Sequence, residues 1–140
     1  YEARGVKPVT AFVSGMAASG GYWIAAAANE IVVSDESLLG SIGVVSSFVD
    51  TSARDERLGL KRVEIVSSMA PGKRPDISSD AGKAQILKVL DDLHQVFASA
   101  IATYRGVKVD TVNTKFGRGG LEVGANAVAA GMADRIGTLE

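Results

Sequence analysis

Two β-branched runs, PVTAFVSG (8–15) and EIVVS (30–34), flank a segment that favours helix, GGYWIAAAAN. Strand, helix and strand so close in sequence leave few folds open. The pattern predicts an α/β layer fold with short, largely parallel strands, because a parallel pair needs a crossover and a helix supplies it. The alanines are small enough to let that helix pack close against a neighbour.

Later segments extend the pattern. GSIGVVSSFVD (40–50) is β-branched and glycine-punctuated, TSARDERLG (51–59) reads as a short charged helix ending at Gly59, and KRVEIVSS (61–68) returns to strand. MAPGKRPDISSD follows as a loop, its prolines and glycine forbidding regular structure. A long helix then begins at Ser79 or Asp80, with Ile86, Leu90, Leu93, Phe97, Ile101 and Tyr104 in one apolar stripe. Arg105 and Gly106 end it. A short helix near 109–116, the glycine turn GRGG and a small helix from Glu122 to Ala130 complete the chain, which reads as one unit over 1–140. It opens on Tyr1 rather than methionine, which predicts a piece of something longer.

Composition removes several kinds of chemistry. Fifteen basic and sixteen acidic residues leave a net charge of −1, so there is no overall electrostatic case for a nucleic-acid partner. The absence of cysteine excludes disulfides, thiol nucleophiles and thiolate metal sites, and a single histidine argues against zinc; no metal or cofactor is expected. No apolar run reaches the roughly 18 residues needed to cross a bilayer.

Ser19 lies where strand gives way to helix, the position at which α/β sheets place their sites. Its plain reading is a helix N-cap, with Gly20 and Gly21 serving tight packing. The chemical reading makes Ser19 a nucleophile, with the N–H of Gly20 holding an oxyanion and two bare glycines admitting a substrate chain. Glycine in a first helical turn costs about 1 kcal/mol against alanine, which favours a purpose beyond stability. A serine nucleophile needs a base. His94 falls on the flank of the apolar stripe and reads as a packing residue. A lysine in a dehydrated setting is the alternative, and Lys73, in the loop after a strand, is by position alone one of fifteen basic residues.

The stretch MAASGGYWIAAAANEIVVSDESLLGSIGVV resembles the signal peptide peptidase A and phage capsid-assembly protease family of serine peptidases. The resemblance rests on Ser19, Gly20, Gly21 and Tyr22 followed by an alanine helix, and on Gly40, Ser41, Ile42, Gly43 and Val44. It extends to AVAAGMADRIGTLE, where Met132 and Ala133 stand in place of the family's usual Leu-Val. It implies a caseinolytic protease/crotonase-like layered fold whose amino-terminal part, with a second oxyanion donor, lies outside this chain.

The resemblance further implies a Ser-Lys dyad of Ser19 and Lys73, an oxyanion contact from Gly20, and support from Ser41. It also implies a peptide or protein substrate and a homo-oligomeric ring, with the dyad open to being shared between subunits. Tyr22 and Trp23 line a substrate groove or subunit contact on this reading, or else lie in the core. The loop around Lys73 is nearer the phage and prophage branch. Two other readings share the fold: a crotonase-like acyl-CoA enzyme, and a structural domain that has lost catalysis.

Overall fold

The computed structural model describes residues 1–139, which divide into two compact units, Tyr1–Val44 with Asp92 onward, and Val45–Asp91. The first unit holds the strands. β1 (Thr10–Val13) and β2 (Met16–Ala18) are one extended run broken at Ser14 and Gly15; α1 (Gly20–Ala26) follows, then β3 (Glu30–Val33) and β4 (Leu38–Gly40). β1 pairs in parallel with β3, and β2 in parallel with β4, so two chain segments pass side by side from one three-stranded sheet to the other. Ser37, fully buried, pins that crossing by donating from Oγ to the Val13 carbonyl at 2.6 Å.

The sheets are completed late in the chain. β5 (Leu121–Val123) runs antiparallel to β4, and β6 (Arg135–Ile136) runs parallel to β3. α4 (Val109–Lys115) comes before β5, and α5 (Gly124–Ala130) lies between β5 and β6. Three of the four strand pairings are parallel, and the α/β layer expectation holds. The predicted helix from Glu122 begins instead at Gly124, because Leu121–Val123 find a partner along β4.

α3 (Asp80–Arg105) is the predicted long helix; Ser79 caps it, its Oγ accepting the Gly82 N–H at 3.0 Å. Its stripe is buried only toward the carboxyl end: Phe97 and Ile101 enter the core, whereas Leu93 is half exposed. The core of this unit gathers Tyr22, Ile31, Val33, Leu39, Phe97, Ile101, Val112, Phe116 and Met132.

One polar cluster ties the core together. Tyr22 is fully buried and donates its hydroxyl to the Met132 carbonyl at 2.9 Å. Arg105 grips the same turn, bonding the Gly131 carbonyl at 3.2 Å and both carboxylate oxygens of Asp134 at 2.7 and 3.0 Å. Asp134 in turn accepts the Ile31 N–H at 2.7 Å. Burial pushes the Tyr22 hydroxyl far above its ordinary pKa, partly offset by the nearby Arg105 cation, so the phenol stays neutral.

The unit 45–91 contains α2 (Ser52–Arg57) and the start of α3, with a single 3-10 turn at Pro71–Lys73. Residues 61–68, expected as a strand, have no regular structure. A strand needs a neighbour to pair with, and among the described residues this unit offers none. Only Gly82 is buried in this unit; Val63 and Ile65 are exposed.

The Arg105–Asp134 pair gives a testable account of stability. Burial alone would raise the Asp134 carboxyl, but the Arg105 hydrogen bond, the Ile31 N–H and the Arg105 charge together hold it below the usual carboxylate range. A depressed carboxylate stabilises the fold above its unfolded pKa, near 4, and that contribution is lost as pH falls through the folded value. Unfolding followed against pH should therefore show a shallower acid loss for Asp134→Asn than for the parent. Arg105→Ala should cost about 1–3 kcal/mol at neutral pH, since it strands the Gly131 carbonyl and leaves Asp134 unpaired.

Candidate functional site

β2 delivers Ser19 to the end of its sheet. The ladder rung Ala18–Gly40–Leu121 closes β2, β4 and β5, and one residue on, the Ser19 N–H donates to the Gly40 carbonyl at 2.8 Å. Ser19 adopts φ 52°, ψ −123°, a conformation that an L-residue seldom holds and that concentrates at functional positions. It occupies the N-cap place of α1, yet its side chain makes no capping bond. The hydroxyl is exposed and unbonded among the described residues, so the plain N-cap reading fails.

Gly20 and Gly21 are not there for packing. A Cβ at either would meet nothing within 4 Å. Their bare face is open to solvent, and among the described residues no acceptor takes the Gly20 N–H. That donor lies beside the serine hydroxyl's own backbone, as an oxyanion contact requires.

Ser41 stands on the neighbouring strand end. It too has a positive φ, 51°, and its N–H donates to the Gly120 carbonyl at 2.7 Å. Its Oγ takes no hydrogen-bond partner among the described residues. Gly40, before it, has φ 131° and a Cβ there would collide with the Gly120 carbonyl, so the three strand ends close only over glycine.

The aromatic pair separates. Tyr22, one of the two residues expected in a groove, subunit contact or core, lies in the core. Trp23 is half-buried, its ring stacked on Phe97 at 4.6 Å, and Ile24 is 79% exposed. A groove of about 370 Å³ opens beside it, between Val13, Gly15, Met16, Gly21 and Ile24. Met16 had no sequence signal, because β2 is too short to show alternation.

Lys73 closes the 3-10 turn in the unit 45–91, its N–H bonded to the Ala70 carbonyl at 3.1 Å. Its side chain is exposed, and no ion pair engages it among the described residues. Ser19 and Lys73 thus belong to different units. His94 bonds the Asn113 Oδ1 at 3.0 Å, which is a structural engagement on the α4 side. Among the described residues no His, Asp and Glu side chains gather in a group able to hold a metal ion.

Comparison with known proteins matches residues 2–140 to the family described as Peptidase family S49. The chain belongs to peptidase family S49. It is 29% identical over 96% of its length to the putative protease MJ0651 of Methanocaldococcus jannaschii, spanning 43% of that protein. It is 32% identical over 95% of its length to the chloroplastic serine protease SPPA of Arabidopsis thaliana, spanning 20% of it. It is also 28% identical over 95% of its length to capsid assembly protease C of Escherichia phage lambda, spanning 30%. The chain therefore spans less than half the length of these relatives. The resemblance read from the Ser-Gly-Gly-Tyr and Gly-Ser-Ile-Gly-Val motifs is confirmed at the level of the family, and with it the mixed α/β fold class.

If Gly21 is open for access and not for packing, Gly21→Ala should leave stability unchanged or raise it by up to about 1 kcal/mol in urea unfolding. A clear loss of stability would return the glycine to a packing role.

Proposed function

We propose that this chain carries the catalytic centre of a serine endopeptidase, of the signal peptide peptidase or prophage capsid- and scaffold-processing type, acting through Ser19 and Lys73. The observation that carries the reading is Ser19 itself: an exposed, unbonded hydroxyl on a strained backbone, beside a free Gly20 N–H, inside the family's nucleophile motif.

The reaction is acyl transfer. Neutral Lys73 Nζ takes the Ser19 hydroxyl proton while Oγ bonds to the substrate's peptide carbonyl carbon, and the Gly20 N–H stabilises the oxyanion that forms. Collapse breaks the C–N bond, and Lys73 returns the proton to the leaving amine. Water, deprotonated by the same lysine, then cleaves the acyl-enzyme and restores Ser19. Ser41 Oγ, free on the adjacent strand end, orients the lysine. The base must be the neutral amine, which removal of water from around it favours.

Lys73 is exposed, so its dehydration is supplied by further protein, for which a second copy is the candidate. The exposed apolar side chains of residues 45–69 suit such a cover: Val49, Ile65 and Met69 are 85, 94 and 93% exposed. The same exposure is what a catalytically silent domain would show, so the experiment must separate the two.

Fluorophosphonate labelling of Ser19 should be covalent and stoichiometric, absent in Ser19→Ala, and slowed at least about a hundredfold in Lys73→Met. Labelling that ignores Lys73→Met would place the base elsewhere; no labelling of the parent would favour the silent domain. Mixing Ser19→Ala with Lys73→Met chains should restore peptidase activity if the dyad is shared between subunits, and none if each chain builds its own.

A further inference from the structure

The described residues contain three non-glycine residues with positive φ: Ser19, Ser41 and Arg118. They are far apart in sequence and meet at one end of one sheet. Ser19 follows β2, Ser41 follows β4, and Arg118 precedes β5, whose antiparallel run brings its beginning to the ends of the other two. Two backbone bonds join the strand ends that carry them, Ser19 N–H to the Gly40 carbonyl and Ser41 N–H to the carbonyl of Gly120, two residues on from Arg118. The first two belong to the proposed chemistry, and the third has no role in it.

Arg118 stands out by its surroundings as well. The first unit holds four arginines. Arg4 bonds the Ala28 and Tyr104 carbonyls, Arg105 bonds Asp134 and the Gly131 carbonyl, and Arg135 bonds Glu30. Each of these ties elements of the fold together. Arg118 is exposed and makes no hydrogen bond or ion pair among the described residues. It sits at φ 50°, ψ 44° between Gly117 and Gly119, both also at positive φ, in a turn closed by the Gly120 N–H on the Gly117 carbonyl at 2.8 Å. Glycine or asparagine would fit that conformation with less strain. A long cation is kept there at a conformational cost, without structural work to do.

We infer that Arg118 is a specificity-determining residue that binds a carboxylate of the peptide substrate, two to four residues from the bond that Ser19 attacks. The inference rests on the peptidase reading. Two strand spacings separate β2 from β5, about 10 Å, which an extended peptide covers in about three residues. A free guanidinium offers a planar fork of donors matched to a carboxylate, and an exposed one selects without a large desolvation cost.

The test measures binding in the Ser19→Ala background, where turnover plays no part. Fluorescent octapeptides differing only in Asp against Asn, placed in turn at each position, are titrated at low salt; each is made with a free and with an amidated carboxyl terminus. The Asp peptide should bind about three- to tenfold more tightly at one position, and the gap should shrink as salt is raised. Arg118→Asn, which suits the same backbone conformation, should erase the gap, Arg118→Lys should keep part of it, and Arg118→Glu should turn the preference toward Lys. A free-terminus peptide that binds more tightly than its amidated twin whichever residue is varied, an advantage that Arg118→Asn removes, would assign the carboxylate to the peptide end. Neither preference, no peptide binding, or a preference that survives Arg118→Asn would overturn the inference. Failure of the peptidase reading shows separately, as absence of fluorophosphonate labelling at Ser19 in the parent chain.

Discussion

The hydrogen bond from the Ser19 N–H to the Gly40 carbonyl carries the site. It extends the β2–β4 ladder one residue past its last paired rung and so fixes a serine in a conformation its own side chain disfavours. Strain of this kind persists only where neighbouring structure over-determines it. Here the ladder holds Ser19 from one side and α1 holds it from the other. The bond also demands a glycine at 40, since β5 passes so near that the Gly120 carbonyl fills the place of any Cβ. Site and sheet closure are thus one constraint, and the Gly-Ser-Ile-Gly-Val motif is its trace in the sequence.

α1 could not hold its side of that bargain as an isolated seven-residue helix. Its fixity comes from Tyr22, whose ring lies wholly in the core and whose hydroxyl reaches the turn after α5. Arg105 from α3 seizes the same turn, and Asp134 passes the connection to β3 through the Ile31 N–H. Four elements, α1, β3, α3 and the turn after α5, are therefore tied together around Tyr22, three residues on from Ser19. An aromatic residue next to a nucleophile motif is easily assigned to substrate; in this fold it anchors the helix, leaving Ile24 and Met16 to face the open groove.

The strand-helix-strand core around Ser19 was legible because β3 is buried and β1 pairs along its whole length, so local preference and tertiary structure agree. β2 and β6, three and two residues long, were not, since neither is long enough to show a period. Glu122 was drawn into the helix that follows it because nothing local reveals that β4 waits to pair with it. In 61–68 the error runs the other way: β-branched residues favour strand, but without a neighbour the backbone stays irregular. Of the proposed site, Ser19, Gly20, Ser41 and Lys73 were named from the motif and the family resemblance; Arg118 was not, because its claim lies in a backbone angle and in the absence of a partner among the described residues.

The unit 45–91 poses one problem twice. It buries almost nothing of its own, while exposing valine, isoleucine and methionine side chains that water disfavours. It also carries Lys73, the base of the proposed reaction, a role that a lysine fills only where water is kept from it. Any surface that covers the apolar side chains withdraws water from the same neighbourhood, so on the proposed reading the ordering of this segment and the arming of the base are a single event. If that surface is a second copy, stability and catalysis rise together with protein concentration, by the same mass action. A lysine exposed in the single chain is then the resting form that such a design requires.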